Sequence, residues 1–427
     1  MKMNFMKLFY LSFVSVLLIT SGCSLFGEKD DDSNREVKEA NNQEQDQSQP
    51  KKLAEFLNVA IWQNGFQKPS DVLYGYDKLI YVSDREANII YQFDENGKPT
   101  GNFSLPNLAS NPTKMAMDRK ANLYFICDYN DTSKQHTFPA IYYIKLHESN
   151  QILSNVTPYD SIIHPYYIPS YSGSYADESL VKFVGIATFA DNTFIVAKRG
   201  PNNSNSRRSS GYDNSIVVFD ADRQYFGNLS TSLLPDGSGL KTINNPTALA
   251  SYANPPQSNS VSRSHDFLMG MDGTNFYRVQ GVTATDVQGE LLYDLDSKFL
   301  TQDPQKSDRF LFSFVTRNGL IQSRFLHPSD ICVTDADNKQ FIFVVDSQLD
   351  SLYQFTFAGY EGVQNPNNAA DKNVIVSFGG RPTSGDFNAH QLNHPEGVAF
   401  GNKRLYIADT DNKRILVYKL STDITGQ

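Results

Sequence analysis

The stretch that decides the fold lies near the C-terminus and comprises His394–Phe400 (HPEGVAF), Arg404–Asp409 (RLYIAD) and Asn412–Tyr418 (NKRILVY). Each segment is short, rich in apolar and aromatic residues, and bounded by polar turn residues, which is typical of a β-strand. Similar groups of three strands recur along the chain. Such internal repeats predict an architecture in which neighbouring units cover one another's apolar surfaces.

Five further copies precede this one, which gives six in all. They begin near Pro69, Pro112, Phe183, Pro246 and Pro328. No long pattern with helical periodicity competes with them, and six small sheets arranged radially predict an all-β, six-bladed β-propeller. The last copy stops after its third strand, whereas a strand-like segment at 55–62 precedes the first. We therefore expect the N-terminal strand to supply the missing outer strand of the last blade.

The last copy resembles the NHL repeat, whose pattern is Pro-x-Gly-apolar-Ala, then Leu-Tyr-apolar-Ala-Asp, then Asn-x-Arg-Ile-x-Val-aromatic. Residues 395–418 match that pattern almost throughout. The resemblance spans about residues 55–420 and implies an NHL-type propeller. It is looser in the third copy, where Lys198 replaces the Asp, and in the fourth, where we expect the third strand at Asn275–Val279.

The first 52 residues are expected to lie outside the propeller. Residues 1–22 have a basic start and a short apolar core, the build of a secretory signal, and the small residues before Cys23 resemble a bacterial lipobox. That resemblance implies lipidation of Cys23, with an ordinary signal peptide as the alternative. Residues 23–52 are acidic and polar and predict a flexible tether. The propeller then occupies 53–420, and 421–427 form a C-terminal tail.

These features predict a location and a set of partners. We expect a lipid anchor on the extracytoplasmic side of the cell envelope, at the outer membrane of a Gram-negative bacterium. The acidic residues after Cys23 resemble a surface-export signal, but we expect them to be a solvating linker, with surface export as the alternative. A net charge of −9 argues against a nucleic-acid partner. The expected partners are the membrane, through the lipid, and an envelope protein, peptide or glycan.

Five aspartates each end the second strand of a copy. They are Asp84, Asp128, Asp272, Asp346 and Asp409. A ring of carboxylates near the axis could hold Ca²⁺. A short carboxylate at a strand end also accepts backbone N–H groups of the following turn, and we expect that structural role.

Histidines offer a second possible metal site. His327 and His394 precede the Pro of two copies. An amidating lyase that shares this repeat uses a set of histidines for zinc, so a zinc site at the central channel is an alternative. The equivalent positions of other copies hold Lys68, Asn111 and Asn245. We therefore expect these histidines to be polar residues at the channel mouth, and no cofactor.

Two insertions beside the third copy are the predicted binding loops. They cover 159–175 and 198–212 and are rich in Tyr, Ser, Gly and Arg. Both connections should emerge on one propeller face, and tyrosine with small polar residues is a mix typical of binding loops. The predicted ligand-binding residues are Tyr166, Tyr167, Tyr171, Tyr175, Arg199, Arg207, Arg208 and Tyr212. The alternative is that both are surface loops without a ligand.

The sequence thus favours a membrane-anchored binding or scaffolding module that recognises a protein, peptide or glycan through one propeller face. The alternative is a metal-dependent lyase or lactonase-type enzyme with its site at the central channel. The chain contains no nucleophile elbow, His-Glu-x-x-His motif or phosphate loop. We therefore assign no catalytic residue.

Overall fold

The computed structural model describes residues 54–156, 160–164, 180–201, 213–229, 243–252, 265–273, 278–295, 311, 314–317, 320–334, 341–368, 371–382, 385 and 387–424. Segment 1–53 lies outside these ranges, so the signal peptide, the lipidation of Cys23 and the tether stay predictions. In the ranges that are described, no helix has the length and apolar character needed to cross a membrane.

The described chain is almost entirely β-structure. Its strands are β1 (Phe56–Trp62), β2 (Pro69–Tyr74), β3 (Ile80–Asp84), β4 (Ile89–Phe93), β5 (Pro99–Ser104), β6 (Ala109–Ser110), β7 (Met115–Met117), β8 (Asn122–Asp131), β9 (His136–Lys145), β10 (Asp160–Ile163), β11 (Lys182–Thr188), β12 (Phe194–Arg199), β13 (Ser215–Phe219), β14 (Tyr225–Asn228), β15 (Pro246–Ser251), β16 (Phe267–Met271), β17 (Val279–Val287), β18 (Glu290–Leu295), β19 (Phe314–Arg317), β20 (Leu320–Ser323), β21 (Pro328–Val333), β22 (Phe341–Asp346), β23 (Ser351–Thr356), β24 (Phe378–Gly379), β25 (Pro395–Gly401), β26 (Arg404–Asp409) and β27 (Arg414–Leu420). Short 3-10 turns lie at Leu146–Ser149, Leu153–Asn155 and Thr410–Asn412, and an α-helical turn at Ser421–Ile424.

These strands form six antiparallel blades. Blade 1 is β2-β3-β4-β5, blade 3 is β11-β12-β13-β14, blade 4 is β15-β16-β17-β18 and blade 5 is β21-β22-β23-β24. In blade 2 the inner strand is divided between β6 and β7, which both pair with β8, and β9 and β10 follow outward. A hairpin, β19-β20, lies between blades 4 and 5 in the sequence. The prediction of an all-β, six-bladed propeller is confirmed.

Blade 6 is closed by the N-terminal strand, as the sequence predicted. Its order is β25-β26-β27-β1, and β1 pairs with β27 from Phe56 opposite Leu420 to Trp62 opposite Ile415. The two ends of the propeller are also joined beyond the strands, because the Glu55 backbone N–H donates to the Ser421 hydroxyl at 3.1 Å. Pairing the ends of the chain removes the open edge that would otherwise remain on the last blade.

Blade 3 keeps the register of the repeat, but two other boundaries predicted from the sequence are wrong. Phe183 pairs with Lys198 just as Pro395 pairs with Asp409, so the lysine does replace the Asp, and it is fully buried. The third strand of blade 4 runs from Val279 to Val287, so it continues well past the predicted end at Val279, while residues 275–277 of the predicted strand lie outside the described residues. The β-branched residues continue past 279. Asp160–Ile163 is the outer strand of blade 2, not the start of an insertion.

Inner strands of five blades begin with the same irregularity. The register shifts between Pro69 and Asp71 in blade 1, and at the equivalent step in blades 3, 4, 5 and 6. This is a β-bulge, which inserts one unpaired residue and redirects its side chain. In blade 2, Ile126 exchanges backbone hydrogen bonds with both Thr113 and Lys114, each at 2.8 Å, so two residues again face one.

Adjacent blades are held together by aromatic packing and by hydroxyl groups. Tyr406 of blade 6 packs on Tyr74 of blade 1, with ring centroids 6.4 Å apart. Burying each such side chain contributes roughly 1.5–3 kcal/mol. Bulge residues add a polar link, since Ser70 Oγ donates to the Pro112 carbonyl of the next blade at 2.8 Å. The blades are therefore fixed closely enough to position side chains from different blades around one axis.

Candidate functional site

A cavity of about 190 Å³ lies at the end of the central channel where the inner strands begin and the second strands end. We call it the channel mouth. The bulge position of every blade contributes to its wall, through Ser70, Thr113, Val184, Thr247, Ser329 and Glu396. The other polar residues of the wall are Arg85, Lys114, Arg199, His327, Ser347 and His394.

Three of the strand-end aspartates have the expected structural role. Asp84 accepts the backbone N–H groups of Gln67 and Lys68 at 2.7 and 2.9 Å. Asp346 accepts four backbone N–H groups, and the closest donor is Leu326 at 2.7 Å. Asp409 accepts the Asn393 N–H at 2.7 Å. These carboxylates hold together the loops around the channel mouth.

The other two aspartates do not occupy the same position. Pro246 pairs with Met271 in blade 4, so Asp272 lies one residue beyond the strand end, and Asp128 pairs with Ser110 rather than with the proline of its blade. The prediction that all five aspartates end the second strand at equivalent positions is therefore wrong for Asp272 and Asp128. Among the described residues, the Asp272 carboxylate contacts the side chains of His327 and Arg199.

Asp272 joins a histidine and an arginine from two other blades. Its Oδ2 lies 2.8 Å from His327 Nδ1 and 3.1 Å from Arg199 Nη1. Burial acts to raise the pKa of Asp272, but the hydrogen bond with His327 and the charge of Arg199 outweigh burial and lower it. We call these three residues the His327 triad. It brings together blades 3, 4 and 5.

A second group of the same composition lies between blades 6 and 1. His394 Nε2 is 3.1 Å from Glu396 Oε1, and Arg85 Nη1 donates to Glu396 Oε2. The hydrogen bond with Glu396 raises the pKa of His394. Burial acts to raise the pKa of Glu396, but His394 and Arg85 outweigh it and lower that pKa. We call these residues the His394 triad.

Lys114 stands at the bottom of the mouth, where blade 6 has Gly397. Its Nζ donates to the Glu396 carbonyl and lies 3.4 Å from Asp330 Oδ1. Below it the channel narrows to a cavity of about 80 Å³, whose wall also includes Asp71. Burial raises the pKa of Asp71 well above its ordinary range, and it raises the pKa of Asp330, although Lys114 opposes both shifts.

Several buried oxygens at this site make no hydrogen bond within the described residues. They are Thr113 Oγ1, Ser347 Oγ and Asp272 Oδ1. Thr113 and Ser347 line the mouth itself, and Ser347 is only 1% exposed. An unsatisfied buried polar atom costs about 1–3 kcal/mol, so atoms of this kind often mark a place where a polar ligand or water binds.

The residues predicted from the sequence divide into two groups. Arg199 lies at the mouth and belongs to the His327 triad. The other predicted ligand-binding residues, Tyr166, Tyr167, Tyr171, Tyr175, Arg207, Arg208 and Tyr212, lie outside the described residues. His327 and His394 line the mouth. Within the described ranges, no group of three or more His, Cys, Asp or Glu side chains is arranged to hold a metal ion.

The bulge residues were not predicted to form a site. Each occupies the variable position of the Pro-x-Gly motif, which carries no family signature. The available signal was chemical: this position holds Ser70, Thr113, Thr247, Ser329 and Glu396, five polar residues in strands that are otherwise apolar. Polar residues at the same place in successive copies would have pointed to the mouth.

Blade 6, the most regular part of the ring, is the part that matches a known protein family. Residues 392–418 match the model of the NHL repeat. The sixth blade is therefore similar to an NHL repeat. This match covers β25, β26 and most of β27. Blades 1, 3, 4 and 5 have the same four-stranded antiparallel order, whereas the inner strand of blade 2 is divided. A search of curated proteins gave no significant match.

Solved propeller structures resemble the whole ring. Aldose sugar dehydrogenase from Streptomyces coelicolor, in its PQQ-bound form, superposes with a TM-score of 0.49 at 12% identity, covering 86% of this chain and 98% of the other. An auxiliary nutrient binding protein from Bacteroides thetaiotaomicron gives 0.48 at 11% identity, over 83% and 70%. A gluconolactonase from Xanthomonas campestris gives 0.44 at 10% identity, over 86% and 90%. Similarity at this level concerns the fold and does not transfer an activity.

Proposed function

We propose that this protein is a binding module anchored in the cell envelope, and that its ligand, a glycan, peptide or protein segment, binds at the channel mouth. The observation that carries the proposal is the mouth itself. Among the described residues, its wall holds Arg85, Lys114, Arg199 and two histidines with one carboxylate, Glu396, while Asp272 and Asp330, which pair with Arg199 and Lys114, lie outside this wall. A local concentration of cationic groups in an acidic protein attracts an anionic partner.

The positions of the two predicted loops in the chain also support a binding site on the face that carries the mouth. Residues 165–179 join an outer strand to β11, and residues 202–212 join β12 to β13, so both connections begin and end where the mouth opens. Lys182 and Arg199, which flank them, are partners in the β11–β12 pair. We propose that these loops enlarge the contact around the mouth.

The proposal is tested by comparing variants of the two regions in the full-length chain. Wild type, Arg199→Gln and the triple variant Tyr166→Ala, Tyr167→Ala, Arg208→Ala would be applied to arrays of defined glycans and peptides. We expect one class of probe to bind the wild type and to bind both variants at least tenfold more weakly. Wild-type protein that retains no probe, or retains the same probes as both variants, would contradict the proposal.

The anchor is a separate part of the proposal. We expect Cys23 to carry the lipid and to hold the chain on the extracytoplasmic side of the envelope, since one apolar core followed by small residues and Cys marks this processing. Replacing Cys23 with Ala should move the protein from the membrane fraction to the soluble fraction. Equal membrane retention of the variant would refute lipid anchoring and leave the mouth unaffected.

An acid–base enzyme acting at the same mouth is the second candidate. It is favoured by the His327–Asp272 pair, because a carboxylate that holds the Nδ1 of a histidine leaves Nε2 to exchange a proton with a bound molecule. Turnover of a bound probe, abolished by His327→Gln while binding is retained, would favour this candidate over a binding module. Binding without any turnover would exclude it for that probe.

A further inference from the structure

The two triads leave most of their arginine donors unused. A guanidinium carries five N–H groups, and within the described part of the chain the side chains of Arg85 and Arg199 each donate through Nη1 alone, to Glu396 and Asp272. Their side chains are 26% and 34% exposed at the mouth. The triads therefore hold the guanidinium groups in place while leaving N–H donors available for acceptor atoms of a ligand.

The charges around the mouth fit a single negative charge on the ligand better than two. In the three ion pairs of the mouth, Arg85, Arg199 and Lys114 are each opposed by one carboxylate, that of Glu396, Asp272 and Asp330 respectively. The two histidines add positive charge when they are protonated and no charge when they are neutral. Of the three carboxylates in these pairs, Asp330 is the one whose pKa is raised by burial, which disfavours its charged form. A planar carboxylate also matches the fork of a guanidinium.

The hydroxyl groups of the wall can accept hydrogen bonds from hydroxyl groups of a ligand. Ser70, Thr247 and Ser329 donate to the proline carbonyl of the next blade at 2.8, 2.6 and 2.7 Å. Because their protons are engaged, these oxygens can only accept a further hydrogen bond, and a ligand O–H supplies one. Thr113 Oγ1 and Ser347 Oγ have no partner within the described residues and can both donate and accept.

We infer that the mouth binds a hydroxyl-rich monocarboxylate, such as a hexuronic acid residue of an acidic glycan. The carboxylate contacts the guanidinium group of Arg199, and the ligand hydroxyls contact the bulge residues. Water occupies about 30 Å³ in the liquid, so a cavity of about 190 Å³ admits one ring-sized group. The neck formed by Lys114 and Asp330 stops the ligand from passing along the channel. This inference rests on the proposed binding function.

Calorimetric titration of the full-length protein tests it with four defined probes. They are D-glucuronate, D-galacturonate, D-galactose and inorganic phosphate. We expect at least one uronate to bind, and D-galactose and phosphate to bind at least tenfold more weakly. Equal affinity for D-galactose, stronger binding of phosphate, or absence of uronate binding would each overturn the inference.

Variants locate the uronate on the structure. Arg199→Gln should weaken uronate binding at least tenfold, because it removes the charged fork while Asp272 keeps its bond to His327. Thr113→Val, which deletes a hydroxyl without a partner and preserves shape, should weaken it three- to tenfold. Lys403→Gln is the matched control, since Lys403 is a 60% exposed cation paired with Asp423. Unchanged uronate affinity in Arg199→Gln would overturn the assignment, with thermal unfolding confirming that each variant is folded.

The outcome separates this inference from the wider proposal. If the protein binds an array probe through the mouth but binds neither uronate, the ligand class is wrong and the binding function stands. If the mouth variants also leave every array probe unaffected, the binding function at this face fails as well.

Discussion

Asp409 is the last residue of β26 in blade 6, whereas Asp272 lies one residue beyond the end of β16 in blade 4. The two carboxylates make different contacts. Asp409 is fully buried and accepts a backbone N–H from Asn393 and the Nε–H of Arg414, both at 2.7 Å. Asp272 accepts only from the side chains of His327 and Arg199 within the described residues. A shift of one residue past the strand end converts a carboxylate that closes a turn into one that positions charged groups.

The comparison separates the framework of the repeat from its mouth. At the signature positions, the strand-end Asp accepts hydrogen bonds from backbone N–H groups. The Gly of Pro-x-Gly has no Cβ and so allows the neighbouring blade to approach closely. Positions that the signature leaves variable supply the polar wall of the mouth. Substitutions at the first kind of position should act on stability, and substitutions at the second kind on binding.

The largest effect is expected from a framework aspartate. Asp346→Ala leaves four backbone N–H groups without their acceptor, including those of Leu326 and His327. Since each orphaned buried donor costs about 1–3 kcal/mol, we expect the free energy of unfolding to fall by at least about 3 kcal/mol. Urea denaturation followed by fluorescence measures it. A loss below about 1 kcal/mol would break the comparison.

A framework glycine should give the next largest effect. A Cβ added at Gly397 would lie 2.6 Å from the Asp71 Cα and 2.8 Å from the Val72 nitrogen, so blades 6 and 1 would have to separate. Overpacking of this kind typically costs 1–3 kcal/mol. We expect Gly397→Ala to lower the unfolding midpoint in urea, whereas Lys403→Gln should leave it unchanged. Equal midpoints for both variants would show that the blades can adjust.

The mouth aspartate should show the opposite profile. Asp272→Asn keeps the shape and removes the charge, and the side chain satisfies no backbone group in the described structure. We expect a change in unfolding free energy of less than about 1 kcal/mol, as for partly exposed ion pairs, but at least a tenfold loss of uronate affinity. A stability loss as large as that of Asp346→Ala would contradict the division between framework and mouth.

The smallest effect concerns pH. Glu396 raises the pKa of His394 above its ordinary value of 6.5, with Asp411 acting in the same direction and burial and Arg85 opposing them. The stability from this pair is fully present below about pH 6.5 and is lost as pH rises through the folded-state pKa. We expect a change under about 1 kcal/mol. The difference in unfolding free energy between pH 6 and pH 8, measured by denaturation, should be smaller in His394→Gln than in the wild type. A difference equal to that of the wild type would mean that other groups cause the pH dependence.

The sequence predicted the ring well and its site only in part. Blade 6 and its closure by β1 were predictable because Pro395–Tyr418 carry a strong local pattern and one outer strand was missing. The third strand of blade 4 was harder to place from the sequence, because residues 275–277 have a strand-like composition whereas the strand in the structure is Val279–Val287. The His327 triad was out of reach, because its members come from three blades that only the closed ring brings together, and a one-residue displacement of Asp272 leaves no mark in the sequence.

The closure of blade 6 also determines where the chain joins the propeller. β27 begins beside Asp409 at the mouth and runs away from it, and Phe56 pairs with Leu420 at its far end. The polypeptide that precedes Ala54 therefore reaches the ring at the face opposite the mouth. If the proposed lipid anchor holds the molecule by its N-terminus, a load on that anchor would act on β1 at the end opposite the mouth and would separate β1 from β27 there first.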